Sequence, residues 1–258
     1  MLLKTLQEYA ARAQPAAHVE EAGGWWLRHS PGDAWWVSAV LPHDREDRVA
    51  LAEEFCAERG SGVRFQITPG VCADDLDARL ADRGYERGHT MSLQIASTAE
   101  VLRHAQADAG AVETRPTDKW LAAWRAVTTR DVSAERDLLS RVEHPSAYAY
   151  AEVDGEVVAV GRAVAENGWA GVFGMATLPH ARGQGAARSV LAALASWAAA
   201  READRMYLQM EKQNSSAFRL YERTGFREVC TYHYRIGPLP DFGDNQSGIK
   251  KAGGCRPS

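Results

Sequence analysis

No two of the four cysteines, Cys56, Cys72, Cys230 and Cys255, have the C-x-x-C spacing. The sequence therefore reads against a zinc knuckle or a disulfide frame and as thiols in a reducing compartment. No apolar run approaches the roughly 20 residues that a membrane-crossing helix needs, and Lys4 and Glu8 bring charge too early for a secretory leader. The expected location is the cytoplasm, with no membrane partner. Excess positive charge is also missing, since 30 Lys and Arg face 34 Asp and Glu for a net charge of −4. A nucleic-acid partner is not expected on that balance. His18, His29, His43, His89, His104, His144, His180 and His233 lack metal-ligand spacing, so no metal is expected. No Ser-His-Asp or Cys-His arrangement stands out, which reads against a covalent intermediate on such a nucleophile.

What is present is an ordinary globular composition, 45% apolar and 25% charged over 258 residues, enough for one large domain or two smaller ones. Thr5 to Ala17 reads as a helix. Gly24 to Arg28 and Ala34 to Val40 read as strands around the turn residues Pro31, Gly32 and Asp33. Asp47 to Arg59 is a predicted helix, Val63 to Ile67 a strand, Asp74 to Arg83 a helix stopped by Gly84, and Tyr85 to Ile95 extended. The chain turns polar and Ala-rich over Ser97 to Gly110, where a domain boundary is placed. The division is 1–108, 109–236 and a flexible tail, 237–258.

After that boundary, Thr117 or Asp118 can cap a helix from Lys119 to Thr129, and Ser133 to Val142 is a second helix. Then the period changes to two. Strands at 147–153, 156–165 and 169–177 are joined by Asp154-Gly155 and Asn167-Gly168, both tight-hairpin signals. Gly185 to Ala203 is helical, Arg205 to Met210 a strand, Ser215 to Thr224 a helix closed by Gly225, and Val229 to Ile236 a last strand. The fold class is α/β with a mixed sheet.

Two segments carry chemistry. Small residues in Arg182-Gly183-Gln184-Gly185-Ala186-Ala187 let a backbone approach a ligand closely, and the helix that follows aims unpaired N–H groups outward. Such a turn suits a pyrophosphate, with Arg182 adding a charge-assisted contact; alone, it could equally be a plain strand-to-helix turn. Downstream, Asn214, Ala217 and Tyr221 fall on one side of a helix, where Tyr221 could also be a core aromatic.

In this order, with these strands around them, the segments resemble the GNAT superfamily of N-acetyltransferases. Arg182 to Ala187 is similar to its Gln/Arg-x-x-Gly-x-Gly/Ala motif, and Asn214 to Phe226 to its Asn-x-x-Ala-x-x-x-Tyr-x-x-x-Gly-Phe signature. The resemblance implies a GNAT fold in the C-terminal half and acetyl-CoA as acyl donor. It implies that Met175, Ala176 and Thr177 pair with the pantetheine arm, that the amides of Arg182, Gly183, Gln184, Gly185, Ala186 and Ala187 hold the pyrophosphate, and that Asn214 and Ala217 lie alongside. Tyr221 would be the acid for the leaving thiolate, and a strand N–H, that of Ala176 or a neighbour, would stabilise the oxyanion. Where relatives often have a Glu, the strand Trp169 to Thr177 has no carboxylate; Glu211 is the nearest candidate base.

Leu80 to Arg87 echoes the Tyr221 to Arg227 helix end without a phosphate motif before it. The N-terminal half thus resembles the degenerate first copy of a tandem-GNAT chain. Trp25, Trp26, Trp35 and Trp36 lie on predicted strands, as core packing or as an aromatic wall for an acceptor. The expected acceptor is a small-molecule amine. A protein lysine or N-terminus, and a non-catalytic acyl-CoA-binding module, are the alternatives, and a homodimer is compatible with each.

Overall fold

The computed structural model describes residues 1–32, 35–105, 110–128 and 130–237. In chain order the helices are α1 (Leu2–Ala13), α2 (Val49–Ala57), α3 (Leu76–Asp82), α4 (Thr98–His104), α5 (Asp118–Val127), α6 (Val132–Ser140), α7 (Ala186–Ala199) and α8 (Ser215–Arg223). The strands are β1 (His18–Ala22), β2 (Trp25–His29), β3 (Leu41–Pro42), β4 (Arg64–Ile67), β5 (Glu86–Ser97), β6 (Ala111–Glu113), β7 (Ser146–Val153), β8 (Glu156–Glu166), β9 (Trp169–Thr177), β10 (Arg205–Glu211) and β11 (Arg227–Ile236). None of the described helices is long and apolar enough to cross a membrane.

Strands β1, β2 and β3 form a small sheet, and a mixed sheet of eight strands runs in the order β4-β11-β5-β10-β9-β8-β7-β6. The hairpins β7–β8 and β8–β9 turn at Asp154-Gly155 and Asn167-Gly168, where all four residues have positive φ. Asn, Asp and Gly tolerate that region, which is why these pairs are legible as turns. The parallel pairing of β10 with β9 requires a crossover, and α7 supplies it.

Each face of the sheet is covered. The Ala-rich α7 lays Val190, Leu191 and Leu194 on small residues of β7, β8 and β9, including Ala149, Ala159 and Val172, so helix and sheet approach closely. On the opposite face, α1 puts Leu6, Ala10 and Ala13 against Val164, Phe173 and Tyr207. Beside it, Trp120, Trp124 and Leu138 of α5 and α6 pack on Tyr148, Val160 and Ala176. A further cluster of Trp25, Leu27, Phe65, Leu76 and Leu80 lies among the N-terminal elements. Thr117, rather than Asp118, caps α5, accepting from Trp120 N at 3.1 Å.

Three local expectations are corrected. Residues 35–38 form a turn and not a strand, because Trp35 packs edge-on against both Trp36 and Tyr234, at 5.5 and 4.8 Å between centroids. Tertiary aromatic packing here overrides the β-preference of the residue types. The strand β1, almost wholly exposed, carries no alternating pattern and is held by its ladder with β2. In the polar stretch before residue 105, α4 forms behind its N-cap Ser97, whose Oγ accepts from Glu100 N at 3.2 Å. Residues 106–109 and 238–258, with the boundary and most of the tail placed there, lie outside the described residues.

Strand β5 belongs to the N-terminal half of the sequence, yet it lies between β10 and β11 and pairs with both, from Arg205↔Ser97 to Ile236↔Glu86. A fragment of residues 110–258 would leave those two strands without the one that joins them, exposing unpaired edges. That fragment is expected to aggregate when expressed alone, as read by size-exclusion chromatography. A monomeric fragment with full turnover would count against this dependence.

Candidate active site

The centre of the C-terminal half is a bulge. Arg162 pairs with Phe173 and Val160 with Ala176, so Gly174 and Met175 of β9 together oppose the single residue Gly161 of β8. Gly174 takes φ +61, which a residue without Cβ adopts at no steric cost. A side chain on Gly161 would stand 2.9 Å from Val190 Cγ1 of α7, so glycine is needed there for packing. The Trp120 indole Nε1 donates to Gly161 O at 3.3 Å and to Ala149 O at 3.0 Å. Both carbonyls belong to the β7–β8 ladder, so the indole adds a donor to that pair and fixes α5 on the sheet beside the bulge.

Beyond the bulge the sheet opens. Parallel pairing of β9 with β10 stops at Val172↔Leu208, while β10 continues along β5 to Glu211. The edge of β9 facing β10 is thus free over its C-terminal half. Leu178 N–H donates to Val158 O at 2.8 Å, so by strand alternation Ala176 also turns its N–H toward β8, and Thr177 turns to the open side. Consistent with that direction, Thr177 O accepts from Arg182 Nε at 3.3 Å.

The chain then passes through a short 3-10 turn, Pro179–Ala181, into the loop before α7. Gly183 and Gly185 have φ of +78 and +92. A Cβ on Gly183 would meet nothing within 4 Å, and one on Gly185 only Arg188 Nη2 at 3.8 Å, so open space lies in front of this backbone. Gln184 ties the loop by donating to His180 O at 2.8 Å. Gly185 caps α7 without any side-chain acceptor, and the first intrahelical bond, Ser189 N to Gly185 O at 3.0 Å, leaves the earlier amides free. These donors and the positive end of the helix dipole fit a pyrophosphate. Arg182 and Arg188 are both exposed beside them. Arg188 escaped the sequence reading because it falls one residue outside the motif, although it is on the first turn of the same helix.

Helix α8 brings the second segment. Asn214 is its cap: Oδ1 accepts from Ala217 N at 3.1 Å and from Ser216 Oγ at 2.9 Å. Ala217 and Phe218 are half-buried against the α7 side of the core. Tyr221 is 6% exposed and stacks edge-on with Phe226 at 5.6 Å. No hydrogen bond holds its hydroxyl among the described residues, and burial pushes the phenol well above its ordinary value, so it keeps its proton at neutral pH.

Glu211 ends β10 with its side chain half exposed, and its Oε1 is 3.3 Å from Nδ1 of His89 on β5. His89 in turn stacks on Trp35, 4.6 Å between centroids and 17° from parallel. Nothing in the spacing of His89 marks it as a partner of Glu211, since 122 residues separate them and only the β5–β10 ladder brings them together. Among the described residues no cluster of His, Cys, Asp and Glu could hold a metal ion.

Residues 112–226 match the model of the Acetyltransferase (GNAT) family. The whole chain is similar to the uncharacterized N-acetyltransferase YobR of Bacillus subtilis (strain 168), 27% identical over 248 residues, which cover 91% of this chain and 98% of that protein. Its fold is similar to a GCN5-related N-acetyltransferase from Kribbella flavida, with a TM-score of 0.67 and 17% identity over 93% of this chain and 96% of that one. It is also similar to a tandem GNAT protein from the clavulanic acid biosynthesis pathway, with a TM-score of 0.62 and 12% identity over 92% and 86%.

Two substitutions test this geometry. Trp120→Phe keeps an aromatic ring but removes the N–H shared by the Gly161 and Ala149 carbonyls, and should cost about 0.5–1.5 kcal/mol in denaturant unfolding. Gly185→Glu puts a carboxylate where the phosphates are expected, and should abolish binding of CoA in a calorimetric titration of protein verified as folded. Equal affinity in mutant and wild type would remove the cradle.

Proposed function

We propose, because residues 112–226 belong to the GNAT acetyltransferase family, that this acyltransferase moves an acetyl group from acetyl-CoA to the amine of a small molecule by direct attack. The observation that carries the reading is the continuity of three features: the free edge of β9 beyond Val172, the amide cradle of Arg182 to Ala187, and Tyr221 on the adjoining α8.

Acetyl-CoA supplies an activated acyl thioester. The cradle amides, with Arg182 and Arg188, hold its pyrophosphate, and the open edge of β9 at Met175 and Thr177, on either side of Ala176, pairs with its amide-bearing arm beside Asn214 and Ala217. The amine nitrogen bonds to the acyl carbon as the carbon–sulfur bond breaks. Thr177 N–H, on the open side, is the donor best directed at the developing oxyanion. The amine's proton passes to Glu211 or, through its contact, to His89; the Trp35 stack and the carboxylate orient that imidazole. Tyr221, kept protonated by burial, donates to the departing thiolate. The N-terminal half, as a degenerate copy of the same fold, walls the acceptor side and contributes His89.

The activity itself is tested by release of free thiol from acetyl-CoA across a panel of amines. Tyr221→Phe removes the acid and keeps the ring, so turnover should fall by about 10²–10⁴-fold with CoA affinity unchanged. The elevated phenol pKa implies that wild-type turnover does not fall through loss of this proton between pH 7 and 9. A Phe variant as active as wild type, in an assay where chemistry limits the rate, would exclude Tyr221 as the acid.

A further inference from the structure

Two arginines are buried at the C-terminal end of α1. Arg28, 4% exposed, donates through Nη2 to Gln14 O at 2.7 Å and Ala11 O at 3.4 Å, and Arg162, 1% exposed, donates through Nη2 to Ala13 O at 2.9 Å. Neither has a carboxylate partner among the described residues. Glu135, the buried carboxylate nearest in charge to Arg162, is bonded to Arg130. The end of α1 offsets only about half a unit of charge. Two buried cations therefore face less than one unit of negative charge, an imbalance that a stable interior seldom leaves.

Beside Arg28 lies a cavity of about 20 Å³, bounded also by Gln14, Trp36, Gln66, Gln209 and Tyr234. Its unpaired side-chain atom is a donor. Tyr234 OH donates to Gln66 Oε1 at 3.2 Å, which fixes the orientation of that amide and leaves the Nε2 donors of Gln66, 6% exposed, with no partner. Arg28 adds Nε and Nη1, for which no described residue is an acceptor. The space admits one or two oxygen-sized atoms. The unpaired donors of Arg28 and Gln66, positive charge without a counterion and that size together fit a carboxylate.

The cavity is placed to serve the reaction. Gln209 is the first residue of β10 past its last pair with β9, and it lies on the same face of the strand as Tyr207, the α1 face. Its wall is thus the opening between the two strands, approached from the side opposite α7. Trp36 on the far wall is edge-on to Trp35, which carries His89.

We propose that Arg28 and Gln66 bind a carboxylate of the acyl acceptor, so that the acceptor is an amine that also carries a carboxylate, an amino acid or a close derivative. The role in acceptor choice rests on the acyl-transfer reading; the binding does not. The main chain of α1 holds Arg28 by its Nη2, leaving the rest of the guanidinium and the Gln66 amide to meet the two carboxylate oxygens.

The test has a binding arm and a turnover arm, both on the full chain. In the first, protein saturated with CoA is titrated calorimetrically with the common L-amino acids and with their α-carboxamides. At least one amino acid should bind about tenfold or more tightly than its amide, as expected when a buried charge-assisted contact is lost. Arg28→Met should reduce that gap to roughly threefold or less. Gln66→Glu, which keeps the Tyr234 bond and supplies Arg28 with an internal carboxylate, should do the same even where the Met variant folds poorly. CoA affinity should not change in either. No amino acid binding better than its amide, as for a cavity that holds only water, overturns the proposal, and so does a gap that survives both substitutions. The second arm measures thiol release from acetyl-CoA with the same compounds. Carboxylate-selective binding with no thiol release from any amine would sink acyl transfer and leave the subsite standing. Thiol release without carboxylate preference would sink the subsite alone.

Discussion

The bulge opposite Gly161 is the constraint on which the C-terminal half is organised. Gly174 and Met175 of β9 together face that one residue, so the β8–β9 ladder loses its regular step there. The N–H and C=O of Gly161 turn to Ala149 of β7, and the indole N–H of Trp120 is shared by the carbonyls of that pair, which holds α5 on the sheet beside the bulge. With the bulge in place, β9 leaves β10 after Val172, and its edge becomes available to something other than a strand. Glycine at 161 and 174 serves the same end, one by giving room to Val190 and Met175, the other by adopting a positive φ.

The two halves of the chain share one sheet. Because β5 separates β10 from β11, the C-terminal half obtains its continuous hydrogen bonding from residues that precede it. The same arrangement sets His89 beside Glu211 and the Trp35 ring beside both His89 and Tyr234. The two faces of the sheet differ in what they present. The α7 side offers backbone amides at the start of a helix, and the α1 side offers the side chains of Arg28, Gln66, Gln209 and Trp36.

Several features were written in local sequence. The hairpins at Asp154-Gly155 and Asn167-Gly168, the glycines before α7 and the Thr117 cap depend on near neighbours, and each appears where its spacing puts it; the Asn214 cap is just as local but was read only as one side of the helix. The Ser97 cap was equally local, though the polar composition around it reads as a linker. Strand β1 and the turn at residues 35–38 were not legible. The first owes its form to a ladder and the second to distant aromatic rings.

By itself the sequence determined the mixed α/β class, the order of the elements from the Thr117 cap to the last strand and the glycine-lined turn before α7, because helix caps, hairpin turns and a glycine-lined helix start act within a few residues. Only the tertiary structure decided that β5 enters the C-terminal sheet, that His89 meets Glu211, and that Arg28 and Gln66 share a cavity with Gln209. Strand pairing and burial join residues more than a hundred positions apart, and the free energy of those pairings appears in no local pattern of residue types.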